Sequence, residues 1–263
     1  GKLLPVLNER ASIVGTRGEV TAEFLHRHGV SRAVALGCPS LLAYARNAFR
    51  AYDNVGQIHL DNPALRISSA GRFGPGPRSK FLAQLLERFH SDYVFQSDIR
   101  TFIRDAEATE SVVDPASGRL DDGFRARQGS LSFRLFTAFA GLYFFRTTDA
   151  WRQFNHHHDL FVGDRFHGGV AALQAGIPAV FLSQDVRVDE LTDFFGLARL
   201  SIPKDYEVRE DALKRCAQEF GVEKYRRTFA QRVAKYRETL SEAGLSVAAP
   251  TDFDFICGPT LSA

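Results

Sequence analysis

Asp159-Leu-Phe-Val-Gly163, Asp164-Arg165-Phe166-His167-Gly168-Gly169, Val170-Ala-Ala-Leu-Gln-Ala175, Gly176-Ile-Pro178 and Ala179-Val-Phe-Leu-Ser183 follow one another without interruption, and their reading decides the fold. The two apolar runs have the length and the β-branched and aromatic content of buried strands. Between them lies a tight loop and a helix of small residues, stopped by Gly176 and restarted by Pro178. Strand, helix and strand in about 25 residues form a βαβ unit, which implies parallel pairing and a right-handed crossover. Gly168, Gly169 and the alanines would let the helix lie close to the sheet. Arg165 and His167 fall at the strand's carboxyl end, beside the helix amino terminus.

The same rhythm extends outward. Ser12-Ile-Val-Gly15-Thr-Arg17, Glu19 to His28, Gly29-Val30 and Ala33 to Leu36 read as strand, amphipathic helix closed by Gly29, and strand. Gly37-Cys38-Pro39-Ser40 then sits at a strand's carboxyl end, where open α/β sheets bind ligands. Between Asp53 and Pro77, prolines and glycines mark loops around a short strand near Leu65 to Ala70. Ser79 to Phe89 has helical apolar spacing, and Tyr93-Val-Phe95 reads as a strand. Residues 105 to 130 are polar and predict an exposed excursion, while the aromatic-rich stretch 131 to 154 predicts helix packed beneath the strand-end site. Helical patterns recur at Val188 to Phe195, Asp211 to Phe220 and Glu223 to Ala243.

The pattern predicts an α/β chain of two Rossmann-like lobes, with parallel sheets flanked by helices. Residues 1–60 would belong to an amino-terminal lobe and 61–247 to a carboxy-terminal lobe, with 248–263 a tail crossing back to the first. The chain has no methionine and begins Gly1-Lys2-Leu3-Leu4, so part of the amino-terminal lobe is expected to be absent.

Bulk properties narrow the function classes. A net charge of +2 on 263 residues arises from scattered acids and bases, with no basic block, which argues against nucleic acid as a partner. The three cysteines are widely separated and form no CxxC pair, so neither a disulfide framework nor a zinc knuckle is indicated and a cytoplasmic setting fits. Leu135 to Phe145 is apolar but too short to span a bilayer. No signal peptide is visible at the start.

A helix amino terminus carries unpaired N–H groups and partial positive charge, so it attracts phosphate or carboxylate. Arg165 would add a planar fork suited to either anion. His167, titratable near neutrality, would donate or accept a proton in the same pocket. Ser183, Gln184, Asp185 and Arg187 end the next strand and should approach the same crevice, Arg187 as a second anion ligand with Glu190 on the following helix. The plainer alternative pairs Arg165 with Asp164 or Asp159 and makes His167 a helix cap. His156-His157-His158 cannot all face one ion from a helix or strand, and the reading is a solvated turn rather than a metal site. Cys38 reads as a small buried thiol and Trp151 with Phe154 as aromatic core.

Val162-Gly163-Asp164-Arg165-Phe166-His167-Gly168-Gly169, with Ala171-Ala-Leu, Gly176-Ile-Pro178 and Asp185-Val-Arg187-Val-Asp-Glu190-Leu191, resembles the signature of the polysaccharide pyruvyl transferase family. Val14-Gly-Thr-Arg17-Gly-Glu19-Val-Thr21-Ala-Glu-Phe-Leu25 is similar to a second family segment. The resemblance implies a two-lobed architecture like that of GT-B glycosyltransferases. It implies transfer of pyruvate from phosphoenolpyruvate, a donor substrate needing no cofactor or metal, to two hydroxyls of a sugar, closing a cyclic ketal. Arg165 would hold the donor's phosphate or carboxylate and His167 would be general acid or base. Arg17, Arg187, Gly168, Ser183, Gln184 and Glu190 would complete the substrate site. The acceptor would be a cell-surface saccharide or its lipid-linked precursor, with peripheral association at the inner face of the membrane; the oligomeric state stays open. Two rivals stand beside this reading: a GT-B glycosyltransferase using a nucleotide sugar, and a non-catalytic glycan- or phosphate-binding subunit.

Overall fold

The computed structural model describes residues 3–71, 76–101, 103, 111–123, 135–183, 185–209, 211–246 and 250–257. They form a mixed α/β protein with parallel sheets flanked by helices, grouped into two compact units. Unit 1 takes residues 1–50, 185–197 and 221–263; unit 2 takes 51–184 and 198–220.

The described residues of unit 2 contain six strands: β3 (Arg66–Ser69), β4 (His90–Phe95), β5 (Gly141–Phe144), β6 (Leu160–Gly163), β7 (Ala179–Ser183) and β8 (Arg199–Ser201). Their order is β5-β4-β3-β6-β7-β8 and every neighbouring pair is parallel. Counted within the sheet this is the doubly wound order 3-2-1-4-5-6. The quoted βαβ unit is β6, a helix Phe166–Gln174 and β7, with Phe161 opposite Ala179 and Gly163 opposite Phe181.

That helix lies against the sheet at van der Waals limits. A Cβ on Gly169 would enter the Phe181 ring, and one on Gly168 would stand 2.9 Å from both Ala70 Cβ and the Phe161 ring. A Cβ on Gly163 would strike the Ala70 carbonyl oxygen. Tyr52, fully buried, donates to the Ala179 carbonyl (2.6 Å) and accepts from the Ala198 N–H (3.4 Å), tying the start of the unit to β7 and to the chain entering β8.

Two expectations for unit 2 are corrected. The stretch 131–154 is not one helix: a 3-10 turn Leu135–Ala138 leads into strand β5 and then a helix Thr148–Asn155 capped by Thr147. Aromatic side chains favour a pleated surface, and here Tyr93, Phe95, Phe136 and Phe139 interlock with ring centroids 4.9–6.4 Å apart. The described part of the polar excursion is also not free chain, because residues 118–120 lie antiparallel on the outer edge of β5 with Leu120 buried. An unpaired strand edge is thereby covered.

Unit 1 holds β1 (Val14–Thr16) and β2 (Ala33–Ala35), paired parallel, among its described residues. Around them are helices α1 (Leu3–Arg10), α2 (Glu19–Arg27), α3 (Pro39–Leu42) and α4 (Ala45–Arg50). In unit 2, α5 is Pro77–Leu86, α6 is Thr148–Asn155 and α7 is Phe166–Gln174; α8 (Val186–Phe195) returns to unit 1, and α9 (Ala212–Glu219) belongs to unit 2. The long α10 (Val222–Glu242) and α11 (Pro250–Cys257) complete unit 1. The contact grouping therefore differs from a single division near residue 61 with one lobe running to 247. The cause is packing: α10 buries Tyr225, Phe229 and Val233, the Tyr225 hydroxyl donates to the Ala48 carbonyl, and Phe229 meets Phe195 of α8. Among the described residues no helix is long and apolar enough to cross a membrane.

Gly169→Ala measures the closeness of α7 to the sheet. Alanine gains about 1 kcal/mol of helix propensity, but the Phe181 ring is fully buried and a forced fit there costs roughly 1–3 kcal/mol. We expect the steric term to win, lowering the denaturation midpoint; an unchanged or raised midpoint would show that the helix can lift without cost.

Candidate functional site

In a doubly wound sheet, ligands bind at the carboxyl ends of the strands where the strand order reverses. In unit 2 the reversal lies between β3 and β6. Beyond β3 come Ala70 and Gly71; beyond β6 come Asp164, Arg165 and the first turn of α7.

Arg165 is the N-cap residue of α7, with extended backbone (φ −96°, ψ 109°) and a side chain that does not cap. Its N–H donates to the Ala70 carbonyl (3.3 Å), and its own carbonyl accepts from Gly168 N–H (3.0 Å) and Gly169 N–H (3.3 Å). These bonds fix the backbone at the start of α7. The Arg165 Nε is buried and has no hydrogen-bond partner among the described residues.

The plainer alternative for Arg165 is not what the structure contains. Asp164 is buried and its carboxylate pairs with Arg78 Nε of α5 at 2.5 Å. Asp159 accepts from the Arg66 N–H at 2.9 Å. Neither acid neutralises Arg165, so its positive charge stands at the same end as the helix's partial positive charge, and a bound anion would be favoured by both. His167 is exposed on the first turn of α7, its ring edge-on to Phe166 at 5.9 Å between centroids. Gly168, expected to touch substrate, has its N–H directed to Arg165 and its Cα against Ala70 and Phe161, which makes it a packing residue. Ser183 ends β7 and is buried; Gln184 lies outside the described residues.

Unit 1 presents the remaining candidates. Arg17 follows β1 and is exposed, as is Arg187 in the first turn of α8. Glu190 reaches from α8 to the start of α2, its carboxylate accepting from Thr21 N–H (2.8 Å) and Thr21 Oγ1–H (3.0 Å). Gly18 is required there, since a Cβ would strike the Glu190 side chain. Glu190 therefore caps a helix amino terminus, and the two exposed arginines sit on the two segments it joins.

Three further readings find their places. Cys38 is buried, with Sγ 2.9 Å from Ser40 Oγ. The three-histidine turn is only partly solvated: His158 is buried, its Nε2 3.0 Å from Asp92 Oδ2 and its Nδ1 3.1 Å from the Phe154 carbonyl. Trp151 is buried in α6, as an aromatic core residue would be.

Sequence reading missed a polar cluster beside Arg165. Tyr93 of β4 and Asp98, in a 3-10 turn just past that strand, are both buried and joined, and Tyr93 also holds Gly71. Burial raises the Asp98 carboxyl above the usual carboxylate range, while hydrogen bonds from Gln96 N–H and Tyr93 and the charge of Arg165 oppose the rise. The available signal was position alone: an acid just past a strand's carboxyl end.

Among solved structures, the chain is similar to α,α-trehalose 6-phosphate synthase from Burkholderia multivorans, at 13% identity and a TM-score of 0.43. The alignment covers 90% of this chain and 58% of that one, so the chain spans little more than half that protein's length. No curated protein matches. The family described as polysaccharide pyruvyl transferase matches residues 2–186, well over half the sequence, and the chain belongs to that family of transferases.

Proposed function

We propose that this protein transfers the pyruvyl group of phosphoenolpyruvate to two hydroxyls of a saccharide acceptor, forming a cyclic ketal and releasing phosphate. The observation that carries the reading is Arg165: a partly buried residue at a helix amino terminus, at the strand-order reversal, with the sequence-adjacent Asp164 paired to Arg78 and Asp159 bonded to the Arg66 N–H. Such a site suits a small, multiply charged anion with oxygens arranged for bidentate contact.

The chemistry balances with the groups at hand. A proton added to the donor's methylene carbon converts it to a methyl group and makes C2 electrophilic. One sugar hydroxyl forms a bond to C2 and yields its proton. The C2–O bond to phosphate then breaks, the electron pair leaves with phosphate, and a second hydroxyl attacks C2 to close the ring. Of the two hydroxyl protons, one balances the proton gained by the methyl carbon and the other leaves with phosphate. His167, exposed and two residues from Arg165, would move protons in these steps. Arg165 and the α7 amino terminus would hold the donor and accept the charge that develops on phosphate. Arg17 and Arg187 lie in unit 1 and are exposed there. An acceptor linked to lipid as a biosynthetic precursor would bring the protein to the inner face of the membrane.

Incubation with phosphoenolpyruvate and a panel of free and lipid-linked oligosaccharides, following phosphate release and acceptor mass together, tests the reading. A pyruvate-sized gain of mass matched by phosphate release is expected; turnover of a nucleotide sugar without any phosphoenolpyruvate turnover would overturn it. His167→Ala should fold normally and lose about 10²–10⁴ in kcat. Arg165→Ala should chiefly raise KM for phosphoenolpyruvate, by roughly 10–100-fold, the equivalent of losing a charged hydrogen-bonding partner. Full activity in both variants would remove the site from the reaction.

A further inference from the structure

The hydroxyl of Tyr93 meets three polar atoms in a buried place. It donates to the Gly71 carbonyl oxygen (2.7 Å), accepts from the Gly71 N–H (3.2 Å), and stands 2.8 Å from Asp98 Oδ2. A phenol carries one proton. With that proton on the Gly71 carbonyl, the short contact to Asp98 requires a proton on the carboxyl group, or two acceptor oxygens would face each other without water. The other Asp98 oxygen, Oδ1, accepts from the Gln96 N–H at 2.7 Å, so a neutral carboxyl satisfies every bond in the group. Burial acts in the same direction on both partners: it raises Asp98, and it raises Tyr93 well above the usual phenol range.

The clamp reaches the donor site through the backbone. Gly71 is held at both its N–H and its carbonyl by Tyr93, and the preceding residue, Ala70, accepts from the Arg165 N–H. A side chain at Gly71 would fit tightly, with a Cβ 3.0 Å from the Leu82 side chain and 3.2 Å from Asp164 Oδ1. We infer that Asp98 is a positioning residue for Arg165: as a neutral acid it locks Tyr93 onto the Ala70-Gly71 strand end, and it leaves the Arg165 charge uncompensated for an anionic ligand. An ionised Asp98 would draw the Tyr93 proton away from the Gly71 carbonyl and compete with the ligand for Arg165. The inference rests on the reading of Arg165 as the donor's anion contact.

Three readouts on the whole chain test it. An infrared difference spectrum of wild type against Asp98→Asn at neutral pH should show the carbonyl band of a protonated carboxylic acid; its absence overturns the neutral clamp whatever the activity. Amide exchange at Gly71 and Arg165 should speed up in Asp98→Ala and Tyr93→Phe but not in Asp98→Asn, whose amide keeps a donor for Tyr93 and an acceptor for Gln96. Phosphoenolpyruvate binding by calorimetry, below the unfolding transition of each variant, should be within about twofold of wild type in Asp98→Asn and roughly tenfold weaker in Asp98→Ala. Unchanged exchange or affinity in Asp98→Ala would reduce Asp98 to a structural residue, and equal loss in both variants would mean that its charge is what matters. A wild-type protein that binds no phosphoenolpyruvate would sink the donor reading, while the band and the exchange rates would still decide the clamp.

Discussion

Helix α7 touches the sheet where there is no space for side chains, and the site is built on that contact. Gly163, Gly168 and Gly169 bring the helix against Ala70, Phe161 and the Phe181 ring, at distances that any Cβ would violate. Close packing of this kind leaves two neighbouring strand ends, those of β3 and β6, within one hydrogen bond of each other, Arg165 N–H to Ala70 carbonyl. The amino terminus of α7 is thereby fixed at the reversal of strand order, with an arginine as its N-cap residue. Both the position of the charge and the direction of the helix follow from residues that have no chemistry of their own.

Electrostatics then separates Arg165 from the other charges buried around it. Desolvated charges need partners, and the acids of unit 2 have them: Asp164 with Arg78, and Asp92 with His158 and, at 3.9 Å, Arg66. Asp98 is buried against Tyr93, and burial raises its carboxyl above the usual carboxylate range. Arg165, partly open to solvent, forms an ion pair with no acid among the described residues, and an anion is the partner that physics favours for it. Unit 1 shows the complementary arrangement, where Glu190 satisfies the amino terminus of α2 and the exposed Arg17 and Arg187 sit beside it.

Membership of the pyruvyl transferase family and this disposition of charge bear on each other. A doubly wound sheet hosts many chemistries, so the sheet alone does not choose among them. The particular combination here is an arginine whose Nε has no partner among the described residues, a histidine exposed two residues along the same turn, and the buried Asp98–Tyr93 pair beyond the end of β4.

Local sequence determined the βαβ unit, its parallel pairing and the placing of Arg165 and His167, because strand length, helical spacing, Gly176 and Pro178 all act over a few residues. It also indicated that Gly168 and Gly169 would face the sheet. The partners of the charges lay beyond it. Asp164 is adjacent to Arg165 in sequence yet pairs with Arg78 across the fold, and nothing in a short window distinguishes the two arginines. Glu190 read as a ligand for substrate and instead caps a helix 169 positions away. Within the aromatic stretch, Gly141–Phe144 had no local reason to become a strand until β4 offered an open row of backbone groups. Sequence set which segments are strands and helices where periodicity was strong; the tertiary structure decided which charge is neutralised by which, because that depends on distances between residues far apart in the chain.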